Sequence, residues 1–338
     1  MEVRSPLPLA PLTTFRIGGP AKMFVELHSV EDVEAAVALA RDRRLPLLIL
    51  GAGSNILVPD DGVDGVVAQM RMSGISFTES LDNVIVVANA GLPWDSLVRE
   101  TTRRGLFGIE NLAGIPGTVG GAVVQNIGAY GAELSQTFLY ADCIDTKTGA
   151  AHRVLNEDAA LGYRSSCFSY NRAFVILRAA FRLTRDAEPN LSYKDLAQMQ
   201  HAGTVLAAPA QIAEAVRKIR AEKFPSPEEG GCAGSFFKNP TVSEKEAEAL
   251  RGRFPGIPLF PQTEGRVKVS LAWILDHVLN LNGYVKNAVR LYEKQPIVFV
   301  TSAGATAAAV DALAQEVCAR VFAETHIMVE REVETFGK

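Results

Sequence analysis

The sequence has little of what would mark a metal enzyme or a disulfide-framed domain. Its four cysteines, Cys143, Cys167, Cys232 and Cys318, are far apart and form no C-x-x-C pair. They read as reduced thiols and offer neither a disulfide frame nor a zinc site. The five histidines are equally scattered, and no H-E-x-x-H occurs, so no metal is expected. No run approaches the roughly 20 apolar residues of a membrane span. The opening MEVRSPLPLAPLTTF lacks a continuous apolar core, so no leader peptide is expected either. Positive charge is not in excess: 34 Lys and Arg stand against 38 Asp and Glu, a net charge of −4. No basic field favours nucleic acid or an anionic membrane.

What is present is an ordinary globular balance, 48% hydrophobic and 21% charged over 338 residues, enough for two or three domains. SVEDVEAAVALARDRR predicts a helix, with Ser29 as cap and Val33, Val37 and Ala40 at helical spacing. LPLLIL follows as a short buried strand and GAGSN as a turn. NVIVVANAG and FVILRAAFRLT predict strands, and PAQIAEAVRKIRAEKF an amphipathic helix that ends at the breaker PSPEEGG. Beyond that boundary, SEKEAEALRGRF carries a capping box of Ser243 and Glu246. SLAWILDHVLNL and AGATAAAVDALAQEVCARVF predict helices, PIVFV a buried strand, and HIMVEREVE a closing strand whose acids face water.

Residues 114–131, GIPGTVGGAVVQNIGAYG, hold six glycines and no Asp, Glu, Lys or Arg. Glycine in a regular element costs roughly 0.5–1 kcal/mol relative to alanine, so clustering implies sharp turns or close approach. With RIGGPA and GAGSNIL this makes three bare loops in the first 131 residues. Successive backbone N–H groups in such loops form anion-binding concavities. GAGSN begins like a dinucleotide fingerprint, but Ile56 stands where the third glycine belongs. Two accounts stay open on residues alone: a phosphorylated ligand against main chain, or a tight packing corner. AGSFFKNP places Ser235, Lys238 and Asn239 together without a G-x-S-x-G elbow, and as pattern it reads equally as a strand-edge turn.

Taken in order, TTFRIGGPA, LILGAGSNIL, GLFGIENLAGIPGTVGGAVVQNIGAYGAE, GYRSSCF, AGSFFKNP and the terminal REV resemble the UDP-N-acetylenolpyruvoylglucosamine reductase family. The matches run from Thr13 to Glu332, nearly the whole chain. LSYKDL, around Tyr193, is similar to the longer subtype, whose tyrosine loop folds over bound substrate. The resemblance implies an α+β fold: a vanillyl-alcohol-oxidase-type (PCMH-type) FAD-binding domain of two lobes plus an α+β substrate-binding domain. The expected boundaries are 1–71 for the first lobe, with the strand 328–338 returning to it, 72–222 for the second, and 223–327 for the substrate domain. It implies non-covalent FAD, with NADPH as hydride donor. Hydride then passes to the enolpyruvyl methylene of a UDP-sugar that uses the same site in turn, giving UDP-N-acetylmuramate for peptidoglycan.

By the same resemblance, Ser235 matches the proton donor, and Arg164 and Glu332 the two other catalytic positions. Gly51, Gly53, Ser54, Asn55, Gly114, Gly117, Thr118, Gly120, Gly121, Asn126 and Tyr130 match cofactor positions. Tyr193, Arg220, Lys223, Asn239 and Gln295 match substrate positions. A guanidinium at Arg164 suits the carboxylate of an enolate-like intermediate. Glu332 makes sense as a protonated group or one bonded through another donor, which calls for a raised pKa. The expected setting is a cytoplasmic monomer acting on small molecules, with no nucleic-acid or membrane partner. A related FAD-dependent oxidase and a non-catalytic UDP-sugar-binding module are the rival readings. One departure stands out. The family's terminal P-E-V-R-F is REVETF here, so Arg331 replaces proline and Glu334 replaces arginine, and Glu330 is a fallback for Glu332 should the register slip.

Overall fold

The computed structural model describes residues 1–80 and 83–337. The chain forms two compact units: Met1–Leu7, Ala21–Ala52 and Asp64–Arg220 make the first, and Pro8–Pro20, Gly53–Val63 and Ala221–Lys338 the second. Each mixes helices and strands, which gives the α+β class expected from the sequence.

In the first unit, Leu47–Leu50 runs parallel to Val63–Met70, with Leu47 opposite Val66 and Leu50 opposite Gln69. Pro20–Leu27 lies on the other side of Val63–Met70. The connecting helix, Val30–Arg43, starts at Ser29, whose side chain accepts from the Asp32 N–H at 3.3 Å. Acids in its first turn and Arg41 and Arg43 in its last suit the helix dipole. Val33, Ala36, Val37 and Ala40 form its buried stripe. A second sheet is antiparallel throughout, in the order Ala151–Leu155, Phe138–Asp145, Phe174–Thr184, Asn83–Asn89, Ile75–Ser80. Trp94 is fully buried against it, edge-on to Phe181 at 5.9 Å. Its indole N–H donates to the Leu112 carbonyl at 2.9 Å, which a buried indole requires. Within the glycine-rich stretch, Thr118 caps a short helix, Val119–Gln125, which stops at Asn126 with φ +44°.

The second unit has a four-stranded antiparallel sheet in the order Gly231–Ser235, Gln295–Thr301, Val289–Tyr292, Val285–Lys286. A three-stranded sheet, Thr241–Ser243, Arg266–Val269 and Leu259–Pro261, stands beside the capping-box helix Glu244–Arg253. The helix Ala307–Thr325 buries Val310, Leu313, Ala314, Val317 and Val321 in a core that includes Phe236 stacked on Phe299 at 4.3 Å. Its N-terminus is held twice. Thr306 Oγ1 accepts from the Ala309 N–H, and the Asp60 carboxylate accepts from the N–H groups of Ala307 and Ala308 at 2.7 and 2.9 Å.

Two expectations change. SLAWILDHVLNL does not form one α-helix: a single turn, Leu271–Trp273, widens into a π turn over Ile274–Val278, and Asn280 ends it at φ +51°. HIMVEREVE is not a continuous strand. It makes one antiparallel bridge, Arg331 opposite Phe237, in which Lys238 N–H donates to the Glu330 carbonyl and Glu332 N–H to the Phe236 carbonyl, both at 2.9 Å. The next rung on one side would need an N–H at residue 240, which is proline. On the other side Glu334 N–H turns to the Asn55 carbonyl at 3.1 Å, and Glu334–Thr335 pairs parallel with Ile56–Leu57.

Because Asp60 satisfies two otherwise orphaned helix N–H groups, Asp60→Ala is expected to cost about 1–2 kcal/mol, the range of a lost N-cap. Urea unfolding followed by circular dichroism checks this, and an unchanged midpoint refutes it.

Candidate active site

The glycines divide into two kinds. A Cβ on Gly18 would stand 2.4 Å from Val58 Cβ, on Gly19 2.4 Å from the Asp60 carbonyl, and on Gly53 2.4 Å from the Leu12 carbonyl. At these positions the chain presses on itself, so close packing alone accounts for the glycines of RIGGPA and for Gly53. Gly114, at φ +69°, lies against the stems of Arg217 and Arg220, and a Cβ on Gly120 would reach Ala90 Cβ at 3.0 Å. Thr118 is different. Its Oγ1 accepts from the Gly121 N–H at 3.4 Å and stands 2.8 Å from where a Cβ on Gly51 would be. Two glycine turns of the first unit therefore converge on one hydroxyl. Gly121 is exposed, with nothing nearer its missing side chain than that hydroxyl at 3.6 Å, and Gly117 has φ +139°. Bare main chain, small neutral donors and no acid in the stretch fit the diphosphate of a dinucleotide.

Arg164 sits at the tip of a tight turn in the first unit, closed by paired main-chain bonds between Gly162 and Ser165 at 3.0 and 3.2 Å. Its own φ is +55°, a left-handed conformation that costs a non-glycine residue free energy unless the surroundings fix it. They do. Asn126 Nδ2 donates to the Gly162 carbonyl at 2.9 Å, Ser166 Oγ to the Val124 carbonyl at 2.6 Å, and Arg164 Nη2 to the Gly128 carbonyl at 2.7 Å. Asn126 Oδ1 also accepts from Ser135 N–H at 3.0 Å, and the residue is buried. Its side chain thus braces the Arg164 turn. Tyr130, another left-handed residue at φ +50°, meets Tyr193 edge-to-face at 4.9 Å. Tyr193 opens the helix Lys194–His201, and its loop is docked where Asn190 Nδ2 donates to the Gly131 carbonyl at 2.9 Å. Asn111, inside the matched stretch GLFGIENLAG but given no role there, donates to the carbonyls of both Tyr130 and Asn190, at 2.8 and 2.9 Å.

Arg220 Nε donates to the Gly114 carbonyl at 2.9 Å, while Gly114 N–H donates to Asp95 Oδ1 at 2.7 Å. Arg217 Nη2 donates to that same carboxylate oxygen at 2.9 Å. Burial works to raise the Asp95 carboxyl, but the bonds from Arg217 and Gly114 N–H, with the charges of Arg217 and Arg99, hold it below its ordinary value. Asp95 and Arg217 are a supporting buckle with no motif of their own.

In the second unit, residues from three distant motifs meet. Glu332 N–H donates to the carbonyl of Phe236, the residue after Ser235, at 2.9 Å. Asn55 Nδ2 donates to the Glu332 carbonyl at 3.1 Å. GAGSNIL, AGSFF and REV are therefore tied together, by the Asn55 side-chain amide on one side of Glu332 and a main-chain bond on the other. Ser235 ends its strand opposite Val298, half-buried, after Gly234 at φ +78°. Among the described residues its hydroxyl has no hydrogen-bond partner. Glu332 is half-buried, whereas the fallback Glu330 is 78% exposed and pairs with Lys238 at 3.3 Å. Asn239 Oδ1 accepts from Leu271 N–H at 3.0 Å. Gln295 begins the strand Gln295–Thr301, Ser54 precedes Asn55 in the turn, and Lys223 ends the helix Pro209–Lys223.

A family model described as an FAD binding domain matches residues 21–155. Another, described as the UDP-N-acetylenolpyruvoylglucosamine reductase C-terminal domain, matches residues 226–336. The chain is 39% identical over 332 residues to the UDP-N-acetylenolpyruvoylglucosamine reductase of Ralstonia nicotianae, covering 96% of each. It is 38% identical over 320 residues to that of Pseudomonas aeruginosa, covering 94% of each. The crystal structure of the Thermus caldophilus reductase superposes with a TM-score of 0.67 at 25% identity, over 99% of both chains.

The depressed Asp95 carboxyl sets a sign for acid behaviour. Its contribution is fully present above the unfolded value of about 3.9 and is lost as pH falls through the lower folded value. Asp95→Asn is expected to lose about 1–3 kcal/mol at pH 7, the cost of removing a charged hydrogen-bond partner. The gap to the parent protein should narrow below pH ~4. Unfolding free energies across that range measure it, and a constant gap would refute the assignment.

Proposed function

The chain belongs to the UDP-N-acetylenolpyruvoylglucosamine reductase family, and from that premise we propose that it is an FAD-containing, NADPH-dependent reductase. Its substrate is the enolpyruvyl ether of UDP-N-acetylglucosamine, and its product is UDP-N-acetylmuramate, a peptidoglycan precursor. The observation that carries the reading is the meeting of Asn55, the Phe236 carbonyl and Glu332 in one hydrogen-bonded group, next to Ser235, whose hydroxyl has no partner among the described residues. Residues 1–71 and 72–222 serve the flavin in this reading and 223–327 the nucleotide sugar. No described helix is long and apolar enough to cross a membrane, and a cytoplasmic monomer working on NADPH and a nucleotide sugar accords with the reading.

The turns around Gly51 and Gly117–Gly121, with Thr118, are the groups suited to hold the flavin diphosphate. When bound, FAD supplies the hydride acquired from NADPH to the enolpyruvyl methylene carbon. The chain's own residues handle the charge that this addition creates. The electron pair displaced from the double bond moves toward the adjacent carbon and its carboxylate, so the site must stabilise an anion and deliver one proton. Arg164, locked in its turn, brings a guanidinium whose planar fork matches a carboxylate. Ser235 Oγ is the proton donor to the carbon next to the carboxylate. Glu332, held by its own backbone, acts in its protonated form as a hydrogen-bond donor toward the anion. Arg220 and Lys223 offer positive charge to the UDP diphosphate, and Tyr193 closes over the sugar nucleotide. NADPH and the UDP-sugar take turns at the site.

Ser235→Ala separates the two half-reactions. Under anaerobic conditions NADPH is expected to bleach the bound flavin at the parental rate. Reoxidation by the enolpyruvyl substrate should fall by about 10²–10⁴-fold, the usual worth of a positioned proton transfer. Reoxidation at the parental rate removes Ser235 from the role, and a folded chain that takes up no FAD removes the reading itself. Rapid reoxidation by air without the enolpyruvyl substrate would favour an oxidase instead.

A further inference from the structure

The segment that carries Glu332 is held by separate main-chain bonds to two different strands' ends and not by one continuous ladder. Around Arg331 there is one bridge, and Pro240 bars the next rung. Arg331 itself makes no main-chain hydrogen bond through its N–H among the described residues. Its side chain is engaged instead. Arg331 Nη1 donates to Asp311 on the helix Ala307–Thr325, and the guanidinium lies 5.5 Å from the centre of the Phe236 ring. Asp311 stands next to the buried Val310, and its helix is pinned by Asp60 and by its apolar face, so the carboxylate is a fixed point.

We propose that Arg331 and Asp311 are a positioning pair for the reduction: they clamp the Glu332 backbone against the Phe236 carbonyl, one residue on from Ser235, and so set where the Glu332 carboxyl stands relative to the Ser235 hydroxyl. The proposal rests on the assignment of Ser235 and Glu332 to the reaction. Three contacts of one guanidinium-bearing residue define the clamp: the helix through Asp311, the Phe236 ring, and the covalent step to Glu332. Asn55 completes it from the far side, through its amide to the Glu332 carbonyl and its carbonyl to the Glu334 N–H. Arg331 and Asp311 are 31% and 38% exposed, so water screens their attraction and the pair contributes little to folding. Geometry is another matter. A displacement of about 1 Å at a reacting group can cost on the order of 10²-fold in rate.

The test uses the FAD-loaded enzyme, anaerobic rapid mixing for each half-reaction, and amide hydrogen exchange on the whole chain. In Arg331→Met and in Asp311→Asn, flavin reduction by NADPH is expected to stay at the parental rate, while reoxidation by the enolpyruvyl substrate falls about 10–100-fold. The charge-swapped double variant, Arg331→Asp with Asp311→Arg, should recover most of that loss. Exchange at Glu332 and Val333 should quicken in the single variants while the helix Ala307–Thr325 keeps its protection. A merely structural pair gives a different result: both half-reactions decline together, or helix exchange quickens as much as that of Glu332, and either outcome overturns the proposal. Asp311→Asn is nearly isosteric on a half-exposed helix position and decides the matter alone if Arg331→Met does not fold. Glu332→Gln is the control. If it slows reoxidation and the two single variants do not, the clamp fails and the catalytic reading stands. If Glu332→Gln leaves reoxidation unchanged, the reading of Glu332 fails.

Discussion

The Phe236 carbonyl accepts from Glu332 N–H at 2.9 Å, and the geometry of the second unit's candidate site depends on that bond. A main-chain bond between two segments fixes both backbones at once, so Ser235 on one side and Glu332 on the other inherit a defined separation whatever their side chains do. The bond is dependable because its acceptor is immobile. Phe236 is fully buried, stacked on Phe299 at 4.3 Å and packed under the helix Ala307–Thr325. A single hydrogen bond contributes only about 0.5–1.5 kcal/mol net, and here its value lies in registry more than in stability. The first unit uses the same device. Arg164 is held in a costly left-handed conformation because main-chain carbonyls at Gly128, Val124 and Gly162 each accept from a side chain of the turn or its brace.

Bare main chain has two separate causes in this protein, and they carry different consequences. At Gly18, Gly19 and Gly53 the missing side chain makes room for the chain's own carbonyls and for Val58, so an alanine there would be felt in folding. Around Thr118 the missing side chain of Gly121 leaves the threonine hydroxyl and the main chain beside it uncovered, and a substitution there acts on whatever approaches them. Glycine density alone does not tell these apart. The distance from an imagined Cβ to its nearest neighbour does.

Much of this is legible in the sequence, and the limits have physical causes. Elements with strong periodicity and local caps are readable: Val30–Arg43 with Ser29, Glu244–Arg253 with its capping box, and Phe174–Thr184 as one long strand. The closing segment defeats a reading by pattern because alternation of apolar and acidic residues encodes burial, whereas a strand also needs a partner able to donate along its whole length, and Pro240 cannot. The identities of Ser235, Arg164 and Glu332 come from motif resemblance, since periodicity alone gives a solvated strand and an ordinary turn. Residues that support the site through long-range bonds, such as Asp95 and Arg217, leave no local signature, because their partners lie many residues away. Asn126 is legible as part of the motif but not as a brace, for the same reason.

The departure of REVETF from the family's terminal pattern then has a structural account. Proline at position 331 would fix the backbone without needing an N–H, and the Arg331 N–H is likewise unused among the described residues, so the two residues meet the same backbone requirement. Arginine gives up the rigid ring and restrains the segment from its far end, through Asp311 and the Phe236 ring. The positive charge it brings beside Glu332 is met by the Asp311 carboxylate rather than left facing Glu332 alone. At position 334 the backbone carries the structural duty, donating to Asn55 and pairing with Ile56, while the residue itself is exposed. That pairing is made by main-chain atoms, so it calls for neither arginine nor glutamate at 334.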